Sequence, residues 1–189
     1  MLKRGRTFLK AKGGLAAIEF ALIGPLLATM LMGTIEMCNA LSCKQKVAML
    51  ASASADLVAQ TASISSSGMT DVFNAVTAIV YPFSATGTKI VISSVMSDGN
   101  GNGTVAWSET QNGTALAVNS AVTLPQPIMS TCDSTGACVP CAKNACSVIL
   151  AQVSYAYTSP VASFLIGTIN MTDYFYARPR KSVSVAYTG

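Results

Sequence analysis

Two acidic residues, Glu19 and Glu36, stand within a long apolar segment of this 189-residue sequence. The segment reads LAAIEFALIGPLLATMLMGTIEM from Leu15 onward and contains no basic residue. A charge at the centre of a membrane span costs about 2.5–3.5 kcal/mol, and less near an end. A carboxylate there can pair with an amine, which offsets part of this cost and fixes the register between two helices. For Glu19 the alternative is snorkelling to the membrane surface; for Glu36, helix-end placement and a functional role explain the residue equally well.

Four of the six cysteines form a cluster with the spacing C-x5-C-x2-C-x4-C: Cys132, Cys138, Cys141 and Cys146. Thiolates at a C-x2-C spacing can bind zinc, but this cluster contains a single pair of that kind. Cysteines in a small domain also fit an oxidising compartment. The sequence therefore favours two disulfides over a metal site. Four cysteines allow three pairings, and we expect Cys132–Cys146 to enclose Cys138–Cys141.

The other two cysteines, Cys38 and Cys43, lie five residues apart on an expected helix. Their side chains would diverge by about 140°, so they should not pair with each other. A bridge between subunits and simple burial both remain open for them.

Catalytic chemistry has little support in this sequence. Histidine is absent, which removes the commonest general base and the usual metal ligand. The remaining acids are scattered and are interpreted as caps, turns and solvated positions. We therefore predict no catalytic residue, no metal and no cofactor.

The charge is concentrated at the N-terminus. The formal net charge is +4, yet five basic residues lie in residues 1–14. Without those 14 residues, seven Lys and Arg face eight Asp and Glu, so the rest of the chain is near −1. Nucleic acid is therefore not an expected partner. By the positive-inside rule the N-terminus stays cytoplasmic, and the chain after about Cys38 is translocated.

The apolar segment and the sequence after it predict one long helix from Leu15 to about Ser66. Residues 15–37 can span a bilayer, with a kink expected at Pro25. Residues 38–66 would extend the helix into the periplasm, with Val47, Leu50, Leu57 and Ile64 on one face. A cleaved secretory signal is disfavoured because no small-x-small site followed by polar sequence interrupts the run.

Residues 67–189 are expected to form the head. A short helix from Thr70 to Val80, capped by Thr70 or Asp71, would precede four strand regions. These regions are 88–97, 104–110, 146–158 and 172–187, and a Cys-rich loop covers 130–146. The predicted fold class is α+β, with the long helix packed on a small, mostly antiparallel sheet. The aromatic run at Tyr174, Phe175 and Tyr176 is interpreted as strand core and surface, a partner-binding patch being the alternative.

The segment KGGLAAIEFALIGPLLATMLMGTIEMCNAL resembles the N-terminus of TadE-like proteins, minor pilins (pseudopilins) of bacterial tight-adherence (Tad/Flp) pili. The likeness covers residues 12–41 and weakens beyond them. Members commonly read Gly, a few small residues, Glu-Phe-Ala-Leu, Pro-Leu-Leu and then Gly-x-x-Glu. The matching positions here are Gly14, Glu19-Phe20-Ala21-Leu22, Pro25-Leu26-Leu27 and Gly33 with Glu36. Met37-Cys38 stands where an aromatic and then a small residue are usual, so the TadE, TadF and TadG-like branches all stay open.

The resemblance implies a pilin-like fold and cleavage between Gly14 and Leu15 by a prepilin peptidase. Gly14, Leu15, Glu19 and Phe20 would form the processing signal, and Glu19, Pro25 and Glu36 would serve subunit packing. Implied partners are that peptidase, other minor pilins, the major pilin and the inner-membrane assembly platform. The implied location is the bacterial inner membrane, then the pilus at the cell surface. A pseudopilin of a type II secretion system and an uncleaved single-pass envelope protein with a binding head are the alternatives.

Overall fold

A helix of 45 residues, α1 (Leu15–Ala59), opens the part of the chain that the computed structural model describes. That part comprises residues 15–125, 128–132, 137–159 and 167–189. The predicted leader 1–14, with Gly14, lies outside it. Two compact units, Met1–Leu41 and Ser42–Gly189, divide the chain, and α1 contributes to both.

The part of α1 after residue 41 belongs to the core of the second unit. Its buried side chains recur at helical spacing: Cys43, Val47, Leu50, Ala51, Ser54, Ala55 and Val58. This face confirms the predicted inward positions Val47 and Leu50. Leu57 was also predicted to lie on that face, but its side chain is 38% exposed, and Val58 is buried instead.

The predicted helix end near Ser66 is wrong, because α1 stops at Ala59. A two-residue strand, β1 (Ser63–Ile64), follows and pairs in parallel with β9 (Ala186–Tyr187). Ile64 is therefore buried in a strand rather than on the helix. The backbone N–H of Arg180 donates to the carbonyl of Ala59 at 2.9 Å, which satisfies one of the carbonyls left open at the helix end.

The serine-glycine run 65–68, expected to end α1, begins the second helix, α2 (Ser66–Thr77). Ser65 is the N-cap, and its hydroxyl accepts a hydrogen bond from the N–H of Gly68 at 3.2 Å. The predicted caps Thr70 and Asp71 are therefore wrong. Helix α2 buries Met69, Phe73 and Val76, and a 3-10 turn, Ala78–Val80, follows it.

The main sheet has five strands in the order β4-β3-β2-β7-β8. Its members are β2 (Thr88–Ser97), β3 (Gly103–Gln111), β4 (Ala121–Val122), β7 (Ser147–Thr158) and β8 (Thr168–Ala177). All its pairings are antiparallel, with a register shift between Ser94 and Val95. The predicted strands 88–97, 104–110 and 146–158 are confirmed. The predicted last strand, 172–187, is two separate strands, β8 and β9, because the chain leaves the sheet at the Arg178-Pro179-Arg180 motif.

Strand β7 buries residues on both of its faces. Ile149, Val153 and Tyr155 lie on one face. Burial raises the pKa of the Tyr155 phenol, and the nearby Cys43 of α1 adds to this rise, so α1 packs on this side. On the other face, Val148 and Leu150 join a buried cluster with Val95, Leu124 and Met129. The helix-on-sheet α+β fold predicted from the sequence is confirmed.

The Cys-rich loop contains a small hairpin of β5 (Ser130–Cys132) and β6 (Cys138–Pro140). Cys132 and Cys138 face each other in its register and form a disulfide. Cys141 and Cys146 form the second disulfide. The predicted nested pairing is wrong, since hairpin pairing places sequential cysteines side by side. Cys38 and Cys43 are not bonded to each other, in agreement with their predicted divergence.

The disulfide pattern predicts the thiol count of a double variant. In Cys132→Ser/Cys138→Ser the Cys141–Cys146 bond stays intact, so titration of the denatured, unreduced protein should find no thiol beyond those of the unsubstituted chain. The nested pairing would instead release two further thiols.

The second disulfide predicts a change in stability. The variant Cys141→Ser/Cys146→Ser should lower the free energy of unfolding by about 2 kcal/mol, measured by denaturant titration.

The cap of α2 predicts a contrast between two neighbouring substitutions. Ser65→Ala removes the bond to the Gly68 N–H and should lower the free energy of unfolding by about 1 kcal/mol. Thr70→Ala, within the helix, should change it by less than about 0.5 kcal/mol. Thermal or urea unfolding of both variants measures the difference. A larger loss for Thr70→Ala would contradict the assigned start of α2.

Candidate functional site

The first part of α1 exposes apolar side chains around its circumference. Phe20 is 76% exposed and Leu22 75%, and the same holds for Ile18, Ile23, Leu26, Leu27, Met30, Leu31, Met32, Ile35 and Met37. One 18-residue window has a mean hydropathy of 1.8 and none of it is buried. The helix is therefore long and apolar enough to cross a membrane, by length and composition. An exposed apolar surface of this kind requires lipid or other helices around it.

Glu19 interrupts this apolar surface one turn after the first residue of α1, Leu15. Its side chain is exposed and forms no ion pair with any described residue. Positions four apart lie on the same face of a helix. The carboxylate is thus available to a cation supplied from outside this part of the chain.

Glu36 has a different environment, although the sequence suggested a similar one. Its side chain is only 7% exposed, and both carboxylate oxygens are buried without a hydrogen-bond partner among the described residues. Burying a carboxylate without a hydrogen-bond partner costs free energy. Nothing in the local sequence distinguishes this acid from an exposed one.

The remaining polar side chains of the apolar part satisfy their hydrogen bonds within the helix. Thr29 donates to the carbonyl of Leu26, and Thr34 donates to the carbonyls of Met30 and Leu31, each at 2.8 Å. Such back-bonding hides a hydroxyl from an apolar environment. The two glutamates are therefore the groups here that need a partner.

Pro25 lies inside α1, and the helix continues on both sides of it. Proline removes one backbone donor and leaves the preceding turn less firmly bonded. The kink at Pro25 and its role in subunit packing stay predictions. So does the processing signal, since Gly14 lies outside the described residues.

The Arg178-Pro179-Arg180 motif holds parts of the head together. Arg178 donates from Nη2 to the carbonyls of Ile128 and Ser130, each at 2.8 Å. Arg180 forms an ion pair with Asp56 of α1. The motif thereby connects the end of the sheet to the Cys-rich loop and to the helix.

Trp107 is likewise structural. Its indole N–H donates to the carbonyl of Val185 at 2.7 Å, and its ring stacks on Tyr187 with centroids 5.6 Å apart. These contacts fix β9 against β3. Trp107 thus serves the core, whereas Tyr174 and Phe175 of the predicted aromatic run are exposed.

A groove of about 520 Å³ lies between α1 and the end of β8. Its lining contains Ser52, Ala53 and Asp56 from the helix, and Phe175, Tyr176, Ala177, Arg178 and Arg180 from the strand and the turn after it. Two guanidinium groups and one carboxylate give this groove a net positive lining. Sequence reasoning did not bring these residues together, because they are more than 100 positions apart.

Reactive chemistry is not supported in the described part of the head. Burial raises the pKa of the Cys43 thiol, so the thiol stays protonated and a poor nucleophile at neutral pH. Within residues 15–125, 128–132, 137–159 and 167–189, no three His, Cys, Asp or Glu side chains are grouped to hold a metal ion.

Comparison with known protein families gives one match for this chain. The family described as TadE-like protein matches residues 14–56, which include Glu19, Pro25, Glu36 and the start of the buried face of α1. No curated protein and no solved structure matches the chain. The similarity to this family thus lies in the N-terminal segment of the chain, residues 14–56.

Proposed function

We propose that the chain is a minor pilin of a Tad-type pilus, processed between Gly14 and Leu15 by a prepilin peptidase. The observation that carries this proposal is the exposed apolar part of α1, which keeps Glu19 exposed and without an ion pair to any described residue, one turn after Leu15. An anchor that only holds a head at the membrane gains nothing from this acid. A helix that packs among other pilin helices does.

Cleavage after Gly14 would create an α-amine on Leu15. In a bundle of pilin helices, Glu19 of one subunit would lie beside the amine of a neighbour. In low dielectric this pair offsets part of the cost of both charges and sets the axial position of one subunit against the next. Pro25 and Glu36 would contribute to the same packing.

The head favours a place at the pilus tip or in an initiating complex. The second compact unit comprises residues 42–189, and a head of this bulk would crowd a tightly packed shaft. The chain would be held in the inner membrane with its head in the periplasm until incorporation. Its partners would be other minor pilins, the major pilin and the assembly platform. An enzymatic role is not proposed, since the groups described above supply no nucleophile with a base.

Two other functions share part of this support. A type II secretion pseudopilin also carries a leader that a prepilin peptidase removes. Its first residue after the cleavage site is more often Phe, whereas this chain has Leu15 there. An uncleaved single-pass envelope protein would share the apolar helix but leave Glu19 without a role.

The processing step predicts a mature N-terminus. Protein isolated from membranes of cells that contain the cognate prepilin peptidase should begin at Leu15, by intact mass and N-terminal sequencing. Cells without the peptidase should yield the chain beginning at Met1. A start at Met1 in both strains would reject processing and support the uncleaved envelope protein.

The role of Glu19 predicts a loss of incorporation without a loss of stability. Glu19→Gln should reduce the amount of the protein in sheared pili at least about tenfold, since a pair of this kind is worth more than about 1.4 kcal/mol in an apolar bundle. Head unfolding should be unchanged, because Glu19 is exposed and unpaired in the described structure.

Asp71→Asn is the matched control for that experiment. It removes one negative charge at an exposed position of α2 that forms no described ion pair. Incorporation of this variant should equal that of the unsubstituted protein. Equal incorporation of Glu19→Gln would exclude the register role for Glu19.

A further inference from the structure

Strand β8 forms an edge of the main sheet, since β7 is its only neighbour among the described strands. In an antiparallel pair, alternate residues direct their N–H and C=O groups away from the neighbouring strand. Lys44 Nζ donates to the carbonyl of Thr172 at 2.8 Å, and the N–H of Tyr174 donates to Oδ1 of Asp173 at 3.0 Å. Both contacts identify the even-numbered residues of β8 as the outward-facing set.

A charged side chain covers the edge of β8 at one position, and beyond that position the strand is open to pairing. Lys44 also forms an ion pair with Asp173 at 3.1 Å, so a charged side chain covers the strand at Thr172. Further along, the same alternation directs the carbonyl of Tyr174 and both main-chain groups of Tyr176 away from β7. The open stretch therefore supplies one donor and two acceptors for a strand.

The open stretch meets the groove between α1 and β8. Tyr176, Arg178 and Arg180 line it on the strand side. Arg178 commits only Nη2 to carbonyl groups, and the side chain of Arg180 is 63% exposed despite its ion pair with Asp56. Two guanidinium groups against one carboxylate favour a negatively charged occupant.

We propose that this groove binds an extended acidic segment of a partner protein, which adds to the sheet along Tyr174–Tyr176 and places a carboxylate against Arg178 and Arg180. Strand addition would use these outward-facing main-chain groups, because an edge strand offers them to an incoming chain. Charge-assisted bonds to guanidinium explain the acidic requirement. The proposal concerns the head and does not depend on the cleavage after Gly14.

Nuclear magnetic resonance of the full chain in detergent tests the proposal. The probe is a blocked seven-residue peptide of alternating threonine and valine with one central glutamate. Its addition should shift the amide signals of Tyr174, Tyr176 and Arg178 and slow the hydrogen exchange of the Tyr176 amide. The same peptide with glutamine in place of glutamate should bind at least fivefold more weakly. Equal affinity of the two peptides would overturn the acidic requirement.

Variants separate the main-chain contribution from the side chains. Tyr176→Pro removes an N–H that the sheet itself does not use, which an edge strand tolerates, and it should abolish binding. Tyr176→Ala keeps that N–H and should retain most of it. Undiminished binding by a folded Tyr176→Pro chain would overturn strand addition.

The charges predict opposite effects of two groove substitutions. Asp56→Asn removes the competing carboxylate and should raise the affinity for the glutamate peptide severalfold, whereas Arg180→Gln should lower it by a similar factor. Changes of the same sign would overturn the electrostatic assignment.

Sedimentation of the full chain without peptide gives a further test. Concentration-dependent dimers that Tyr176→Pro abolishes would show the occupant to be a second copy, and the proposal of a separate acidic partner would fail.

Discussion

Helix α1 has to satisfy two different surroundings with one continuous backbone, and the other parts of the molecule follow from this constraint. Before residue 41 its apolar side chains are exposed on all sides, and after it they are buried along one face. The first part therefore needs lipid or other helices, while the second supplies core to the head. A helix hydrophobic all round and a helix with one apolar face are ordinarily different elements. Here they are consecutive stretches of the same one.

In the head, the end of this helix is stabilised by contacts with residues more than 100 positions further along the chain. The carbonyl of Ala59 accepts from the Arg180 N–H, and Asp56 pairs with the Arg180 side chain. Residues just after the helix pair with β9, which Trp107 holds in place. The 178–187 segment thus closes the fold around the helix terminus. Because these contacts surround the exit of β8, they also create the groove next to its open edge.

The two glutamates of the apolar segment differ in exposure and in the availability of their carboxylates, although they are the same residue type. Glu19 is exposed and keeps its carboxylate available to another chain. Glu36 is buried, and neither of its carboxylate oxygens has a hydrogen-bond partner among the described residues. The residues share a chemical type and a similar apolar sequence context. In the proposed pilin, the first would pair with the new N-terminus of a neighbouring subunit.

The sequence by itself determined the elements whose periodicity is local and strong. The apolar run from Leu15, the β-branched strand at 88–97 and the alternating strand at 146–158 were all predictable, because hydrophobic periodicity reflects which face of an element is buried. The family resemblance of the first helix was readable for a related reason: two acids at fixed places in an apolar segment are a rare pattern.

Tertiary structure decided everything that depends on residues distant in sequence. The end of α1 at Ala59 and the break between β8 and β9 follow from pairings across more than 100 residues, which local propensity does not encode. The disulfide pairing follows from hairpin register, since spacing alone allows three arrangements. The burial of Glu36 and the positive groove beside Tyr176 exist only once the chain is folded, because each is a property of neighbours brought together in space.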